Sequence, residues 1–157
     1  DESVELAVSD NQLAVQIADT EVVSRLVDGQ YPDYEQIIPE TFTTTITIPS
    51  NQLVSAIRTS GIFSQATQSI TLSYNSETQL VVVSATSHDI GESNIEVPSV
   101  IQGGSGNILF NYRYLLDVLA SRKDASVIIS IVNDAAPVII SPESSTGYRY
   151  LVMPIKT

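Results

Sequence analysis

Gly147-Tyr-Arg-Tyr-Leu-Val-Met-Pro-Ile-Lys-Thr157 closes the chain, and together with Leu26-Val-Asp-Gly-Gln-Tyr-Pro-Asp-Tyr34 it decides the fold. The closing segment contains an apolar strand pattern, Tyr150-Leu-Val-Met153, which ends in the only methionine of the sequence. Chain ends usually fray in water, because few contacts hold them. An apolar end therefore predicts a packed strand or part of a binding site.

Composition limits the class of protein. The 157 residues are 43% hydrophobic and 16% charged, which suffices for a folded core. The absence of cysteine excludes disulfides and thiolate metal sites, and it fits a reducing compartment such as the cytoplasm. No apolar run approaches the ~20 residues that span a membrane. Asp1-Glu-Ser-Val4 is not a signal peptide, and we interpret it as a start inside a longer protein.

The charge is unevenly distributed. The net charge of −11 by itself disfavours contact with nucleic-acid phosphates. Four of the seven basic residues nevertheless fall in two predicted helices, at 50–64 and 111–123: Arg58, Arg113, Arg122 and Lys123. These two helices contain a single acidic residue, Asp117. The helices thus carry +3 and the remaining residues −14. Two interpretations stay open: ordinary charged helix surfaces, or a positive helical face on an otherwise negative molecule.

The first part of the chain predicts a small sheet. Apolar runs at 4–8, 12–17 and 21–27, separated by Asp-Asn and Asp-Thr turn signals, indicate a meander of three strands. Three strands alone form a thin sheet with an open edge. We therefore expect residues 1–38 to belong to a larger domain.

From residue 39 the pattern describes a unit that occurs twice. Each copy has a strand, a helix and three further strands, at 43–48, 50–64, 69–74, 79–85 and 93–97, and at 107–110, 111–123, 127–131, 137–140 and 148–152. A shift of ~61 residues superposes Ser50 on Asn111, Val54 on Leu115 and Ile57 on Val118. Asn111 is the expected N-cap of the second helix. The predicted class is α+β, a duplicated β-α-β-β-β unit with two helices on a curved, mostly antiparallel surface of eight strands.

Catalytic patterns are weak in this sequence. The single histidine, His88, stands in a polar loop, and no serine lies in a nucleophile-elbow motif. Gly103-Gly-Ser-Gly106 lacks the Lys-Ser/Thr of a phosphate loop and precedes a strand, so we interpret it as a flexible connector. No spacing predicts a metal site or a cofactor. These features favour a protein that binds partners rather than an enzyme.

The two end segments resemble the bacterial DNA polymerase III beta subunit, the sliding clamp. In that family a Leu-Val-Asp-Gly-x-(Phe/Tyr)-Pro-Asp-Tyr segment joins the middle domain to the last, and Tyr-x-Val-Met-Pro closes the chain. Phe110-Asn-Tyr-Arg-Tyr-Leu-Leu-Asp-Val-Leu119 also resembles the second helix of its last domain. The resemblance implies a DNA-clamp fold, with residues 1–38 as the end of the middle domain plus a connector and 39–157 as a complete C-terminal domain.

The resemblance also implies function and site residues. Clamps are non-catalytic processivity factors in replication; they encircle duplex DNA independently of sequence and bind short linear motifs of polymerases, the clamp loader and repair proteins. The implied peptide-binding groove is Pro32, Gln36, Ile37, Asn111, Tyr114, Ala135, Pro137, Leu151, Met153, Pro154 and Ile155. Gln36 stands where an arginine is often found, which bears on motif preference.

DNA-facing and ring-forming residues follow from the same resemblance. Arg58, Arg113, Arg122 and Lys123 are expected to face DNA, and Gly61 and Ile62 to lie at the joint that closes a homodimeric ring. This stretch alone is expected to be a monomer, or an unnatural dimer through exposed strand edges, because the first domain is needed for the joint. Two alternatives remain from the residues: an acidic, β-rich extracellular module that binds peptide or carbohydrate, and a small hydrolase built on carboxylate pairs.

Overall fold

The computed structural model describes residues 3–31, 33–120, 124–144 and 147–156. The chain divides into two compact units, Asp1–Tyr34 and Glu35–Thr157. The division falls four residues before the domain boundary expected from the sequence, and the domain identities of the two parts stay predictions. Among the described residues, no helix is both long and apolar enough to cross a membrane.

The first unit is the predicted three-stranded meander. Its antiparallel strands are β1 (Val4–Val8), β2 (Gln12–Ile17) and β3 (Thr20–Arg25), in the order β1-β2-β3. Val4, Leu6 and Val8 lie opposite Ile17, Val15 and Leu13, so that one face of the sheet is apolar. Leu6 on this apolar face is 66% exposed. That the sheet belongs to a larger domain stays a prediction.

The second unit contains the duplicated pattern. It begins in a 3-10 helix at Tyr34–Ile37, which the sequence did not predict. The first repeat comprises β4 (Thr44–Pro49), α1 (Ser50–Ile62), β5 (Ser69–Asn75), β6 (Leu80–Ser87) and β7 (Gly91–Pro98). A strand β8 (Val100–Gly103) follows. The second repeat comprises β9 (Gly106–Asn111), α2 (Tyr112–Ala120), β10 (Ser126–Ile131), β11 (Val138–Pro142) and β12 (Tyr150–Val152).

The two repeats exchange their first strands. One antiparallel sheet has the order β12-β11-β10-β4-β8 and the other β7-β6-β5-β9. The first strand of each repeat therefore pairs with the strand that follows the helix of the other repeat, β4 with β10 and β9 with β5. Both helices pack against each other and contribute to one core with the two sheets. The predicted β-α-β-β-β duplication is confirmed.

The register of the duplication differs from the prediction by one residue. A shift of 62 residues carries the buried Leu53, Ala56 and Ile57 of α1 onto the buried Leu115, Val118 and Leu119 of α2. It also carries the inward-facing Ile46 and Ile48 of β4 onto Ile108 and Phe110 of β9. The predicted pairing of Val54 with Leu115 is wrong, because Val54 lies at the edge of the buried face of α1 and is only half-buried.

The described residues of the second unit form nine strands, one more than predicted. β7 ends at Pro98, and after Ser99 the chain crosses to the other sheet and continues as β8, antiparallel to β4. The predicted connector at 103–106 is shorter than expected, because Gly103 ends β8 and Gly106 begins β9. Gly103 adopts φ +107° and packs directly against the backbone of Thr43, a conformation and a distance that exclude a Cβ.

Candidate peptide-binding site

The chain end after β12 is fixed and partly exposed. Side chains alternate along it: Val152 and Pro154 are buried, whereas Met153 is 49% and Ile155 37% exposed. The backbone N–H of Ile155 donates a hydrogen bond to the carbonyl oxygen of Leu109 in β9, at 2.8 Å. We name Met153–Lys156 the tail. The tail therefore holds the Met153 thioether at the surface instead of fraying.

The start of α2 supplies the second group of predicted site residues. The side-chain Oδ1 of Asn111 accepts a hydrogen bond from the backbone N–H of Arg113 at 3.0 Å, which confirms the predicted N-cap. The side-chain amide of Asn111 also carries two N–H donors, which can serve a ligand. Tyr114, in the first turn of α2, is 53% exposed, whereas the next residue, Leu115, is buried. This turn thus offers polar donors beside an exposed ring.

Helix α2 and strand β12 are brought together, and with them Tyr114 and Tyr150. The two elements are in contact. Burial raises the pKa of the Tyr150 phenol above its ordinary value, and the Asp117 carboxylate, Tyr148 and Tyr114 raise the pKa further. Tyr150 is therefore a neutral hydrogen-bonding phenol at physiological pH. Tyr114 and Tyr150 are therefore neighbours, whereas Leu151, the next residue of β12, points to the opposite face of the sheet.

The turn between β10 and β11 presents Ala135 and Pro137. The Asn133 side-chain oxygen accepts hydrogen bonds from the backbone N–H of Ala135 at 2.9 Å and of Ala136 at 2.7 Å. This Asx turn fixes the loop in one conformation. Ala135 is exposed and Pro137 half-buried, immediately before β11. The turn lies next to the tail, because Ala135 lines the same cleft as Ile155 and Lys156.

Sequence reasoning missed Ile139. It lies directly opposite Leu151 in the register of β11 and β12, so both side chains are on the same face of the sheet, and Ile139 is 4% exposed. The neighbours Val138 and Ile140 face the core on the other side. A strand that is apolar on both faces, Val138-Ile-Ile140, is the signal that could have found this residue.

A cleft of about 450 Å³ opens beside the tail. It shares Ala135 and Ile155 with the predicted groove and continues along β9 and onto β5. Asp134 and Lys156 are the charged residues of its wall. Its lining residues are Thr71, Asn107, Ile108, Leu109, Asp134, Ala135, Ile155 and Lys156.

The remaining groove residues are less defined by the structure. Gln36 and Ile37 lie in the 3-10 helix, and Ile37 is 46% exposed. Pro32 lies outside the described residues. For these three, the position in the groove stays a prediction.

The predicted DNA-facing residues lie on the helices where the structure describes them. Arg58 on α1 and Arg113 on α2 are exposed, and Asp117 is the acid of the two helices. Arg122 and Lys123 follow α2 and lie outside the described residues. Gly61 is buried beside the ring of Tyr112, and its place at a ring joint stays a prediction. Ile62 is 54% exposed and remains available for a joint.

The fold is that of sliding-clamp domains. The structure resembles the DNA polymerase III beta chain from Streptococcus pneumoniae, with 28% sequence identity and a TM-score of 0.87, over 98% of this chain and 41% of that one. It resembles the beta subunit from Thermotoga maritima with 27% identity and a TM-score of 0.85, over 98% and 42%. The predicted α+β DNA-clamp fold is confirmed.

The family follows from the sequence. A family model described as DNA polymerase III beta subunit, C-terminal domain, matches residues 35–156, and the chain belongs to this family. It is 32% identical to the beta sliding clamp of Synechococcus elongatus over 99% of its own length. It spans 42% of that relative. None of these matches is to an extracellular binding module.

Proposed function

We propose that this chain is the C-terminal part of a DNA sliding clamp, a replication processivity factor of the cytoplasm. The full protein encircles duplex DNA as a homodimeric ring and captures short linear motifs of polymerases, the clamp loader and repair proteins. One observation carries the proposal: in a chain whose residues 35–156 match the clamp family, the tail is hydrogen-bonded to β9 and keeps the apolar Met153 half-exposed.

Peptide capture suits the chemistry of this surface. Exposed apolar side chains with polar groups around them are typical of partner sites. Met153 and Leu151 can receive a leucine or phenylalanine anchor, and a methionine side chain repacks around anchors of different shape. The Asn111 amide and the Tyr114 phenol can orient polar groups of the peptide. A rigid tail and a capped helix lower the ordering cost of binding.

DNA contact is proposed for the helical face. Arg58 and Arg113 are exposed on helices of a protein with net charge −11. An acidic exterior repels DNA, so phosphates approach where cations are concentrated. Two such charges bind weakly, which suits sliding, because a closed ring holds DNA by topology. No catalytic step is assigned: the single histidine, His88, is exposed in the turn between β6 and β7.

Titration of a fluorescent Gln-Leu-Ser-Leu-Phe peptide tests the groove. We expect saturable binding that Met153→Asp abolishes, because a buried carboxylate beside an apolar anchor is costly. Met153→Leu is the matched control and retains binding, since volume and polarity are conserved. Binding unaffected by Met153→Asp overturns the assignment of the groove. If this chain binds no peptide, the same titration on the longer protein, which contains the residues upstream, decides the question.

A further inference from the structure

The chain carries a single sulfur atom, the thioether of Met153. The sequence contains one methionine and no cysteine, so no other thiol or thioether of this chain competes for an oxidant. In the folded protein the side chain of Met153 is 49% exposed, whereas the preceding residue, Val152, is 3% exposed. The side chain that peroxides oxidise most easily is therefore in contact with solvent.

The backbone on both sides of Met153 holds its sulfur at the surface. Val152 and Pro154 are buried, and side chains alternate in direction along an extended chain, so Met153 points away from the core. Val152 belongs to the ladder of β12 with β11, and the backbone N–H of Ile155 is bonded to the Leu109 carbonyl oxygen. Turning Met153 inward would require a slip of one residue, which would expose both buried neighbours.

Oxidation by hydrogen peroxide adds one oxygen atom to a thioether. The sulfur lone pair attacks one peroxide oxygen, so that a sulfur–oxygen bond forms and the oxygen–oxygen bond breaks. Sulfur loses two electrons, and the second oxygen leaves as water with both protons of the peroxide. The product, methionine sulfoxide, presents a polar acceptor where the thioether was apolar. Methionine sulfoxide reductases reverse the reaction: a dithiol is oxidised to a disulfide, and the oxygen leaves as water.

We propose that Met153 is a reversible modification site, at which peroxides convert the peptide-binding groove into a weakly binding form. This inference rests on the proposed function, because the groove is the surface that the modification changes. A leucine or phenylalanine anchor gives the sulfoxide oxygen no hydrogen-bond partner, so binding buries an unsatisfied polar group. In the free protein the same oxygen lies in solvent and leaves the stability of the fold unchanged. The modification therefore acts on binding and not on folding.

Mass spectrometry of the protein treated with hydrogen peroxide tests the modification. We expect a mass gain of one oxygen atom, located on Met153 by fragmentation, at nearly the rate of the same chain unfolded in urea. A saturating Gln-Leu-Ser-Leu-Phe peptide should slow the reaction, because its anchor covers the sulfur. Oxidation of the folded chain many times slower than that of the unfolded chain overturns the proposal, because the sulfur is then shielded. Equal rates with and without bound peptide also overturn it.

Titration of the fluorescent peptide against the oxidised protein tests the consequence. The affinity should fall about ten-fold or more, as the burial of an unsatisfied polar group predicts. The melting temperature should stay that of the untreated protein, which separates a binding effect from unfolding. Methionine sulfoxide reductases with dithiothreitol should restore the affinity, if both sulfoxide epimers are reduced. Unchanged affinity after complete oxidation of Met153 overturns the proposal and leaves the proposed function intact.

Met153→Leu removes the sulfur and provides the control. Whatever its affinity for the peptide before treatment, this variant should keep the same affinity after peroxide. A loss as large as in the wild type would assign the effect to another residue and overturn the proposal. Absence of peptide binding to the untreated protein, in this chain and in the longer protein, refutes the proposed function instead, and mass spectrometry then decides the modification alone.

Discussion

Gly103 packs against Thr43 so closely that a side chain at position 103 would overlap the carbonyl oxygen of Thr43. The φ of Gly103 is +107°, a region that residues with a Cβ avoid. The contact allows β8 to end alongside β4 and the chain to turn directly into β9. A glycine in this position therefore fixes the connection between the two repeats.

Gly103→Ala is expected to destabilise the protein by about 2–4 kcal/mol, because backbone strain and overpacking add. Gly104→Ala is the matched control: its Cβ would meet the Thr44 hydroxyl oxygen at 3.8 Å, an ordinary contact. Urea unfolding followed by circular dichroism measures both variants. Similar stabilities of the two variants would show that the close approach at Gly103 is unimportant.

Asn111 has two separable tasks, capping α2 and donating to a peptide. Asn111→Ala should cost about 1 kcal/mol of stability, since the Arg113 N–H loses its acceptor. Asn111→Asp keeps an acceptor at the helix N-terminus and should preserve the melting temperature. It removes the amide donors, so the Gln-Leu-Ser-Leu-Phe peptide should bind roughly three- to ten-fold more weakly. Unchanged affinity in the aspartate variant would exclude Asn111 as a donor to the peptide.

The raised pKa of the Tyr150 phenol predicts that the folded protein loses stability at alkaline pH. Burial, followed by Asp117, Tyr148 and Tyr114, raises the pKa of its phenol in the folded state above the ordinary 10.0. The folded protein then holds the proton more tightly than the unfolded chain. The free energy of unfolding should therefore fall as pH rises above about 10 and level off beyond the raised pKa. Tyr150→Phe should make this fall shallower in urea titrations between pH 9 and 12, and parallel curves for both proteins would contradict the prediction.

Arg58 and Arg113 are expected to contribute to DNA binding through charge alone. Each Arg→Gln substitution should weaken binding of a labelled duplex for every sequence and reduce the slope of log K against log salt by about one. Arg25→Gln is the matched control, because Arg25 lies on β3, is paired with Asp28 and is remote in sequence from both helices. Fluorescence anisotropy at low salt detects the difference. An equal effect of Arg25→Gln would indicate general charge attraction without a helical binding face.

Sequence periodicity predicted the strands and helices well, because alternation and 3.6-residue spacing report burial directly. β1 and β2 have the predicted bounds. Prediction from periodicity failed where tertiary contacts override the local sequence pattern. Val100-Ile-Gln102 shows little alternation of apolar and polar residues, and it becomes a strand because it pairs with the edge of β4. Gly103 looks like a linker residue in the sequence, although its close contact with Thr43 requires a glycine.

The site was predictable to the extent that motifs specify it. Local pattern predicted the apolar strand that ends in Met153 and the N-cap at Asn111. The place of both residues in a peptide groove came from the family resemblance and stays a prediction. Ile139 was missed because its place beside Leu151 depends on the register between β11 and β12. A single sequence does not reveal which residues of two strands lie opposite each other. The contact of Gly61 with Tyr112 escaped sequence reasoning for the same reason, because it forms only when α1 and α2 pack together.

The exchanged first strands set a constraint on biosynthesis. β4 leaves the ribosome early, yet its pairing partner β10 is made about eighty residues later, with Thr44 opposite Ile131. Neither repeat can complete its sheet alone, and long-range pairing of this kind slows folding. A nascent chain that stops before Ser126 exposes an unsatisfied apolar strand for as long as translation pauses there. Until β10 is available to pair with β4, this edge of β4 is open to association with other chains.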